Sequence, residues 1–234
     1  NVIKNFHKTK KANLKCVCDI SLYSLEKIKK KYSDVAITTD YEKVLNDDTI
    51  DAVSLCTPAN THYNLTKKAL EAGKHVLIEK PITETSRQAK LLTKLAEKMN
   101  LVLMVGHIFI YNPAVQKLKE LISNNYLGDI RHIYSTRTSL GPRVHSDINV
   151  VLDYLIHDVY IVQYLLDDKP VDVNPSGGCY LQNSIEDMVF VDMIFKENIF
   201  VNLNASWYNP LKKRRMVVVG SEKMAIYDDM HTSG

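Results

Sequence analysis

Lys80 is the first residue whose setting suggests chemistry. It stands between Glu79 and Pro81, directly after the apolar run 75–78, which has the length of a buried strand. Because a proline ends a strand and fixes the backbone, the lysine is held at the strand's carboxyl end, where doubly wound sheets bind ligands. An ammonium held there can stabilise negative charge that develops on a substrate oxygen. The alternative is a solvated surface lysine, which is what most single lysines are.

Asp153 and His157 form the second candidate pair. They are four residues apart and therefore share one face of a helix, and the residues between and around them are apolar. An imidazole has an ordinary pKa of about 6.5, which suits proton exchange near neutral pH. The pattern indicates a proton-transfer site facing a cleft. The alternative is a buried core histidine satisfied by the carboxylate one turn earlier.

Further polar residues lie where other strands are expected to end. Asp19 follows the run 14–18, and an acid at the end of the second strand of a dinucleotide-binding unit accepts hydrogen bonds from ribose hydroxyls and repels a 2′-phosphate. Asp19 equally fits a turn or helix-capping residue ahead of Ser21, so the sequence leaves both roles open. Thr57 with Pro58 and Gly106 with His107 end two later strands.

Strands and helices must alternate through the first half of the chain to place these ends together. Helical periodicity starts at Val2, and short apolar runs then alternate with amphipathic segments, with Gly73 ending one helix. Uniformly apolar strands separated by helices predict a parallel sheet covered on both faces. The predicted strands are 14–19, 35–37, 52–57, 74–79 and 101–105, and the predicted helices are 24–32, 40–46, 60–72 and 85–99.

The pattern of predicted helices and strands changes after Pro113. A helix is predicted to residue 123, a strand over 130–138 and a second helix over 150–166. Shorter β-rich stretches separated by polar turns follow, which predicts a large, mostly antiparallel sheet. These stretches are 186–195, 199–208, 215–220 and 224–227. We therefore predict an α/β dinucleotide-binding domain over 1–112 and an α+β substrate-binding and oligomerisation domain over 113–234.

Composition excludes several classes of protein. The net charge of +3 is too small to indicate nucleic-acid binding, and the basic run 212–215 is predicted to be a solvated turn, with an anionic substrate group as its alternative partner. The four cysteines have no metal-ligand spacing and are predicted to be reduced, mostly buried thiols, so no metal is expected. No run has the roughly 18 apolar residues of a membrane span, and no leader is recognised, so a cytoplasmic location is expected.

Five segments together resemble the Gfo/Idh/MocA oxidoreductase family. Residues 56–62, the helix end at 69–73, and the run His-Val-Leu-Ile-Glu-Lys-Pro at 75–81 have the order and spacing of that family's signature. The segment 106–113 and the motif Asp153-x-x-x-His157 fall where the family closes its first domain and places its catalytic helix. The resemblance implies a Rossmann-like doubly wound sheet, and its last motif is similar to members associated with sugar-nucleotide and polysaccharide biosynthesis.

By this resemblance Lys80 binds the reacting hydroxyl and His157 is the general base that removes its proton as a hydride passes to NAD. Asp153 orients His157 or holds a neighbouring sugar hydroxyl. The implied cofactor-binding residues are Asp19, Thr57, Pro58, Asn60, His62, Glu79 and Lys80. The implied substrate-binding residues are His107, Asn112, Arg137, Arg143 and Asp153. NAD is expected in preference to NADP because of the acid at position 19.

The sequence departs from the family pattern at both ends. The opening strand and its Gly-x-Gly-x-x-Gly turn are missing, which predicts a sheet without its central strand, and the second sheet is expected to be cut short. Family members commonly pair through that sheet, so a homodimer or homotetramer is expected. Two other functions stay open: a non-catalytic protein that senses a nucleotide or sugar, and an NADP-linked reductase of small carbonyls.

Overall fold

The computed structural model describes residues 2–140 and 148–230. The chain divides into two compact units, one formed by Asn1–Ile78 and Thr85–Met104 and the other by Glu79–Glu84 and Val105–Gly234. The segment 79–84 therefore belongs to the second unit, together with the residues from Val105 onward. A domain boundary near residue 112 stays a prediction of the sequence.

The first unit alternates strands and helices as predicted. Its helices are α1 (Val2–Lys8), α2 (Leu22–Lys31), α3 (Tyr41–Leu45), α4 (His62–Glu71) and α5 (Ser86–Met99), and a single 3₁₀ turn spans Ala59–Thr61. Its strands are β1 (Cys16–Cys18), β2 (Ala36–Thr38), β3 (Ala52–Leu55), β4 (His75–Ile78) and β5 (Leu103–Val105).

These strands form two separate ladders. β1 pairs with β2 in parallel, with Val17 opposite Ile37, and β3 pairs with β4 in parallel, with Val53 opposite Val76. β5 lies on the other side of β4, so the second ladder has the order β3-β4-β5. The first unit thus contains a two-stranded and a three-stranded sheet among its described residues.

Local sequence signals fix where these helices begin and end. The side chains of Ser21, Asp40 and Thr85 each accept a hydrogen bond from a backbone amide in the first turn of α2, α3 and α5. Gly73 adopts a φ of +75° directly after α4, a conformation that residues with a Cβ rarely take. The predicted helix end at Gly73 is therefore confirmed.

The second unit packs two helices against one large sheet. A 3₁₀ turn at Ile108–Tyr111 precedes α6 (Pro113–Ser123), and a π-helical turn at Val151–Leu155 runs directly into α7 (Ile156–Leu166). Its strands are β6 (Ile130–Leu140), β7 (Asp172–Gly178), β8 (Met188–Ile194), β9 (Phe200–Ser206), β10 (Tyr208–Gly220) and β11 (Met224–Asp228). A short 3₁₀ turn, Lys196–Asn198, links β8 to β9.

The strand order in this sheet is β11-β10-β6-β9-β8-β7. Four of the five neighbouring pairs are antiparallel, and β6 with β9 is the parallel pair. The predicted fold class, a Rossmann-like α/β unit followed by an α+β unit with a mostly antiparallel sheet, is confirmed.

The inner face of this sheet changes character along β6. Ile133 is fully buried in the apolar core beneath the helices, but the next two inward positions on the same strand are Ser135 and Arg137, both buried. Inward side chains on a strand are two residues apart, so this alternation carries the sheet from an apolar core into a polar layer. That polar layer meets α7.

Three expectations about this fold are corrected. β7 was not singled out, because it contains Pro175, Gly177 and Gly178, residues that weaken a strand pattern and are tolerated on an edge strand. The basic run 212–215 lies inside β10 and is not a turn, since pairing with β6 extends that strand back to Tyr208.

The cysteines are also not mostly buried. Cys18, Cys56 and Cys179 are exposed, Cys16 is half-buried, and all four are free thiols. Partial desolvation of the sulfur atoms raises the pKa of Cys16 and of Cys18, and nearby carboxylates act in the same direction. Across residues 2–140 and 148–230, no helix combines the length and apolar character that a membrane crossing requires. In the same ranges, no cluster of His, Cys, Asp and Glu side chains is arranged to hold a metal ion.

Candidate functional site

Lys80 and Asp153 form the centre of the candidate site in the second unit. The Lys80 ammonium donates one hydrogen bond of 2.8 Å to a carboxylate oxygen of Asp153 and another of 2.8 Å to the backbone carbonyl oxygen of the same residue. Both side chains are more than four-fifths buried. The ammonium is therefore held by a charged and a neutral acceptor, and its position is fixed within the unit.

The π-helical turn Val151–Leu155 presents both of these acceptors. Such turns are rare, occur as single turns within α-helices, and are frequent at functional sites. Asp153 lies in the middle of the turn, and its second carboxylate oxygen accepts a 3.2 Å hydrogen bond from the indole nitrogen of Trp207. Both carboxylate oxygens of Asp153 are thereby engaged, one with a cation and one with a neutral donor.

His157 lies at the start of α7, one turn after Asp153. Its ring meets the edge of the Phe109 ring, with centroids 4.8 Å apart. Its Nδ1 is buried and has no hydrogen-bond partner within the described parts of the chain. Burial lowers the pKa of His157 to about 3, and the positive charges of Arg137 and Lys80 act in the same direction. The imidazole is therefore neutral at physiological pH.

His107 is a second uncharged imidazole in this unit. It stacks on the ring of Tyr160, with centroids 3.9 Å apart and planes inclined by 13°. Burial lowers the pKa of His107, and the charge of Lys80 adds to the effect. Its Nδ1 is buried with no partner in the ranges that the structure covers. His107, Lys80 and His157 thus lie within electrostatic reach of one another in the second unit.

Arg137 does not face a ligand. It is 4% exposed and donates to the Asp158 carboxylate from Nε at 3.1 Å and from Nη2 at 2.7 Å, while Ser135 donates a further 2.9 Å bond to that carboxylate. Its guanidinium carbon lies 4.7 Å from the centroid of the Phe109 ring. The prediction that Arg137 binds a substrate anion is corrected, because its charge is neutralised by Asp158 within the unit.

Asn112 also has a local role. Its side-chain oxygen accepts a 2.9 Å hydrogen bond from the amide of Ala114 and caps α6, and its Nδ2 donates a 3.4 Å bond to the Tyr227 hydroxyl. These contacts use the amide within the unit, which speaks against the predicted substrate contact. Arg143, also predicted to bind substrate, lies outside the described residues.

In the first unit Asp19 follows β1 and is exposed. One oxygen of its carboxylate accepts a 2.8 Å hydrogen bond from the amide of Ser21, and its own amide donates to the Thr38 carbonyl oxygen at 3.2 Å. Ser21, and not Asp19, caps α2. The acid is thus a turn residue whose carboxylate is accessible at the end of its strand, which is compatible with both roles that the sequence left open.

The turn after β3 holds the other predicted cofactor contacts. Thr57, Pro58 and Asn60 are exposed, whereas His62 is 1% exposed and its Nε2 donates a 2.9 Å hydrogen bond to the Thr57 carbonyl oxygen. His62 therefore supports the turn from behind. Thr61 ties the same turn together, since its hydroxyl lies 2.7 Å from the Thr57 hydroxyl oxygen and from the Pro58 carbonyl oxygen.

Glu79 is half-buried and belongs, with Lys80, to the segment of the second unit that runs from 79 to 84. The predicted cofactor residues are therefore divided between the two units. The first unit holds Asp19, Thr57, Pro58, Asn60 and His62, and the second holds Glu79 and Lys80.

Sequence reasoning missed three residues that shape the site. Asp158 is the one acid in the apolar helix α7, and a lone charge in such a helix signals a buried cationic partner. Trp207 is the single tryptophan of the chain, and its indole donor needs an acceptor when buried. Phe109 gives no comparable signal, because its place between Arg137 and His157 depends on tertiary packing.

The ammonium of Lys80 and the imidazole of His157 are groups that can promote the oxidation of an alcohol. A fixed ammonium can stabilise the oxygen of an alkoxide, and a neutral imidazole can accept a proton. Both belong to one unit and both are partly withdrawn from water, which strengthens their electrostatic effect.

Two family models match the chain. Residues 1–107 match the GFO_IDH_MocA model, described as the oxidoreductase family with an NAD-binding Rossmann fold, and residues 115–226 match the GFO/IDH/MocA C-terminal domain. Together the two models account for both halves of the chain in the order in which the sequence presents them.

Several known proteins are similar to this chain. UDP-N-acetylglucosamine 3-dehydrogenase of Acidithiobacillus ferrooxidans is 32% identical over 184 residues, which are 79% of this chain and 57% of that enzyme. A crystal structure of an enzyme with that name from the same organism superimposes with a TM-score of 0.82 at 29% identity, covering 93% of this chain and 69% of the other.

The structure of GenD2 from gentamicin A biosynthesis, solved in complex with NAD, has a TM-score of 0.90. It covers 99% of this chain and 69% of its own, but the identity is 22%, so the likeness shows the fold alone. The chain spans somewhat more than half the length of the curated dehydrogenase it matches.

Proposed function

Because the chain belongs to the Gfo/Idh/MocA oxidoreductase family, we propose that it carries out hydride transfer between a nicotinamide cofactor and a secondary alcohol or ketone of a sugar or sugar nucleotide. The observation that carries the proposal is the pair of groups in the second unit: the Lys80 ammonium fixed by Asp153, and the neutral imidazole of His157. The similarity to a dehydrogenase of UDP-N-acetylglucosamine supports this substrate class.

Lys80 is proposed to bind the oxygen of the reacting alcohol. An ammonium has three donors, and two of them are used by the carbonyl and the carboxylate of Asp153. The third is available for a substrate oxygen and is aimed by the other two. Negative charge on that oxygen grows as the hydride leaves the carbon, so the ammonium stabilises the transition state more than the alcohol.

His157 is proposed to take the hydroxyl proton. Its lowered pKa keeps the imidazole unprotonated, which is the state a base requires, and its side chain is largely shielded from water. Low basicity makes the transfer harder, and Lys80 offsets this by increasing the acidity of the hydroxyl that it binds. In the reduction direction the same two groups return a proton to the oxygen. His107 is proposed to line this site.

The first unit is proposed to bind NAD. Its residues fit that cofactor, since the exposed carboxylate of Asp19 at the end of β1 can accept hydrogen bonds from ribose hydroxyls, and the exposed turn of Thr57, Pro58 and Asn60 follows the end of β3. The nicotinamide ring supplies the hydride acceptor or donor when NAD is bound. A 2′-phosphate would meet the negative charge of Asp19, which favours NAD over NADP.

The test is NADH formation by the purified protein with a panel of UDP-sugars and free polyols. We expect turnover with at least one sugar substrate, NAD preferred to NADP, and a loss of at least about 100-fold in kcat for Lys80→Met and for His157→Gln, the size of a typical acid–base contribution. Lys117→Met is the matched control, because Lys117 is an exposed lysine in an ordinary helical ion pair.

Three results would oppose the proposal. Turnover that survives in both site variants would remove Lys80 and His157 from the chemistry. Tight NAD binding without turnover on any sugar would instead favour a sensing protein, and turnover of small carbonyls with NADP would favour a reductase of that class.

We further propose that the second unit forms a homodimer or homotetramer through the outer face of its sheet. Alternation along the strands turns Tyr134, Phe190, Phe200 and Ile226 away from the core, and all four are exposed. Apolar side chains on neighbouring strands suit a sheet-to-sheet contact between identical copies. Sedimentation of the wild type and of Phe190→Lys is the test, and a monomeric wild type would rule the dimer out.

A further inference from the structure

We propose that Arg214 is a substrate-binding residue that recognises an anionic oxygen group, either a carboxylate or a phosphate, carried by the molecule that Lys80 and His157 act on. This inference rests on the proposed function and extends it, because it assigns the charge of the substrate to one side chain. Arg214 takes the role that the sequence predicted for Arg137, because the charge of Arg137 is neutralised by Asp158.

The register of the sheet places Arg214 beside Arg137. β10 and β6 are antiparallel neighbours, and Arg214 is the direct cross-strand partner of Arg137. Directly opposed residues in an antiparallel pair project from the same face of the sheet, with Cβ atoms about 5 Å apart. Arg137 projects inward, where it meets Asp158 on α7, so Arg214 projects from that same inner face.

The two arginines are compensated very differently. Arg137 makes close, multiple hydrogen bonds to a carboxylate that is itself buried. Arg214 makes one contact of 3.4 Å from Nη1 to Asp229, and that carboxylate also accepts a 3.0 Å hydrogen bond from the Tyr227 hydroxyl. The guanidinium of Arg214 therefore has most of its five donors still to satisfy within the part of the chain that the structure describes.

Exposure separates the pair in the same way. The side chain of Arg137 is 5% exposed and that of Arg214 is 36% exposed. Two guanidinium groups directly opposite one another in a sheet repel each other, so each position is costly unless an anion lies nearby. Asp158 meets that need for Arg137. Asp229 meets it only in part for Arg214, through one long contact of 3.4 Å. A ligand anion would complete it, because a planar guanidinium binds carboxylate and phosphate groups with two parallel hydrogen bonds.

Arg214 also lies within electrostatic reach of the reacting groups. Its charge is one of those that lower the pKa of His157, together with Arg137, Lys80 and His107. Geometry links Arg214 to the same site, because its cross-strand partner Arg137 packs on the Phe109 ring, and that ring meets the ring of His157. In this proposal the anion at Arg214 is part of the molecule whose alcohol Lys80 holds, as in a sugar that carries a carboxylate or a sugar nucleotide that carries a diphosphate.

The test is isothermal titration of the purified wild-type protein, Arg214→Gln and Arg214→Lys with UDP, with free glucuronate and with neutral myo-inositol. UDP presents only the phosphate source of the anion and glucuronate only the carboxylate source. We expect Arg214→Gln to weaken binding of one of the two by about 10- to 100-fold, the worth of a charge-assisted hydrogen bond. Arg214→Lys keeps the charge but loses the paired donors, so its affinity should be intermediate.

Arg215→Gln is the matched control, because it removes the same charge from the next residue of β10, which is exposed and projects from the opposite face of the sheet. Its affinities should stay within about twofold of wild type, since a rim charge contributes little. Far-UV circular dichroism and thermal unfolding check that the variants fold.

The outcomes separate this inference from the proposed function. Equal binding of both anions by wild type and Arg214→Gln overturns the inference, as does a wild type that binds neither anion, or a loss of the same size for myo-inositol. Turnover with unchanged anion binding in Arg214→Gln leaves the proposed function and removes the inference. Anion binding that depends on Arg214, without turnover of any substrate, would leave the inference and remove the proposed function.

Discussion

Lys80 is held by two different oxygens of a single residue, the carboxylate and the backbone carbonyl of Asp153, each 2.8 Å from its ammonium nitrogen. A rotation of the Asp153 side chain alone would break only one of these bonds. The lysine is thereby tied to the backbone of the helix that carries His157, so the two proposed catalytic groups share one rigid support.

Replacing Asp153 by Asn should therefore reduce activity without abolishing the fold. Asn keeps an oxygen acceptor for Lys80 but loses the charge, and a charge-assisted hydrogen bond contributes about 1.5–3 kcal/mol. We expect kcat for sugar oxidation to fall by about 10- to 100-fold in steady-state assays.

Trp207→Phe is the comparison for that variant, because it removes the indole donor to the second oxygen of Asp153 while keeping an aromatic ring, although a smaller one, in this buried position. Its loss should be smaller, about threefold to tenfold. An Asp153→Asn enzyme that works within twofold of wild type would show that the charge of Asp153 plays no part.

Arg137 and Asp158 should be strongly coupled in stability. Arg137→Leu leaves the Asp158 carboxylate buried without its cation, and breaking a buried pair in this way costs about 3–5 kcal/mol of unfolding free energy. The double variant with Asp158→Leu should be destabilised less than Arg137→Leu alone, because no unpaired charge remains.

Urea denaturation of the two single variants and the double variant measures this coupling. Ser135→Ala, which removes one neutral donor to Asp158, should cost about 1 kcal/mol and sets the scale. Single variants whose losses simply add in the double variant would contradict the expected coupling.

Stability should fall as the pH falls below about 6.5, in part because of His157. Its pKa is lowered from the ordinary 6.5 to about 3 by burial and by nearby cations, so the unfolded chain takes up this proton first. The stabilisation is complete above pH 6.5 and is lost as the pH falls from 6.5 towards 3, with a slope of up to about 1.4 kcal/mol per pH unit for one proton.

His157→Gln removes that proton and should flatten the curve over this window. Urea unfolding at several pH values between 4.5 and 7.5 tests the difference in slope. His107 shifts in the same direction and is retained in both proteins, so the variant should flatten the curve without making it level. Parallel curves for wild type and variant would show that His157 titrates normally.

His62 should support cofactor binding from inside the first unit. His62→Leu removes the 2.9 Å donor to the Thr57 carbonyl oxygen, and the loss of one such hydrogen bond costs about 0.5–1.5 kcal/mol. We expect a lower melting temperature and weaker NAD binding, measured by thermal unfolding and by NAD titration. Asn60→Ala, at an exposed position of the same turn, should leave the melting temperature nearly unchanged.

The alternating unit was predictable because its signals are local. Apolar runs, the capping residues Ser21 and Thr85, and the helix end at Gly73 each act within a few residues, and the predicted helices and strands agree with the observed ones to within about three residues. The strand β7 escaped because Pro175, Gly177 and Gly178 are read locally as a loop. Only the neighbouring strand β8 makes them part of a sheet.

The candidate site was predictable in its types but not in its partners. Lys80, Asp153 and His157 could be found by spacing, and the structure brings Lys80 to Asp153. The ion-pair partner of Arg137 could not be predicted from the sequence, because it depends on the register that places β6 beneath Asp158. Arginines that look alike in sequence thus acquire opposite roles from tertiary structure alone.

The π-helical turn at Val151–Leu155 makes the geometry of the site depend on the number of residues in this segment. Successive residues of an ordinary helix are rotated by about 100°, so removing one residue from this turn would regularise the helix and swing its first part around the axis by that angle. Asp153 could then no longer present both oxygens to Lys80 while His157 kept its place in α7. Apart from Asp153, exchanges of side chains in this segment should disturb function less than the loss of a single residue from it.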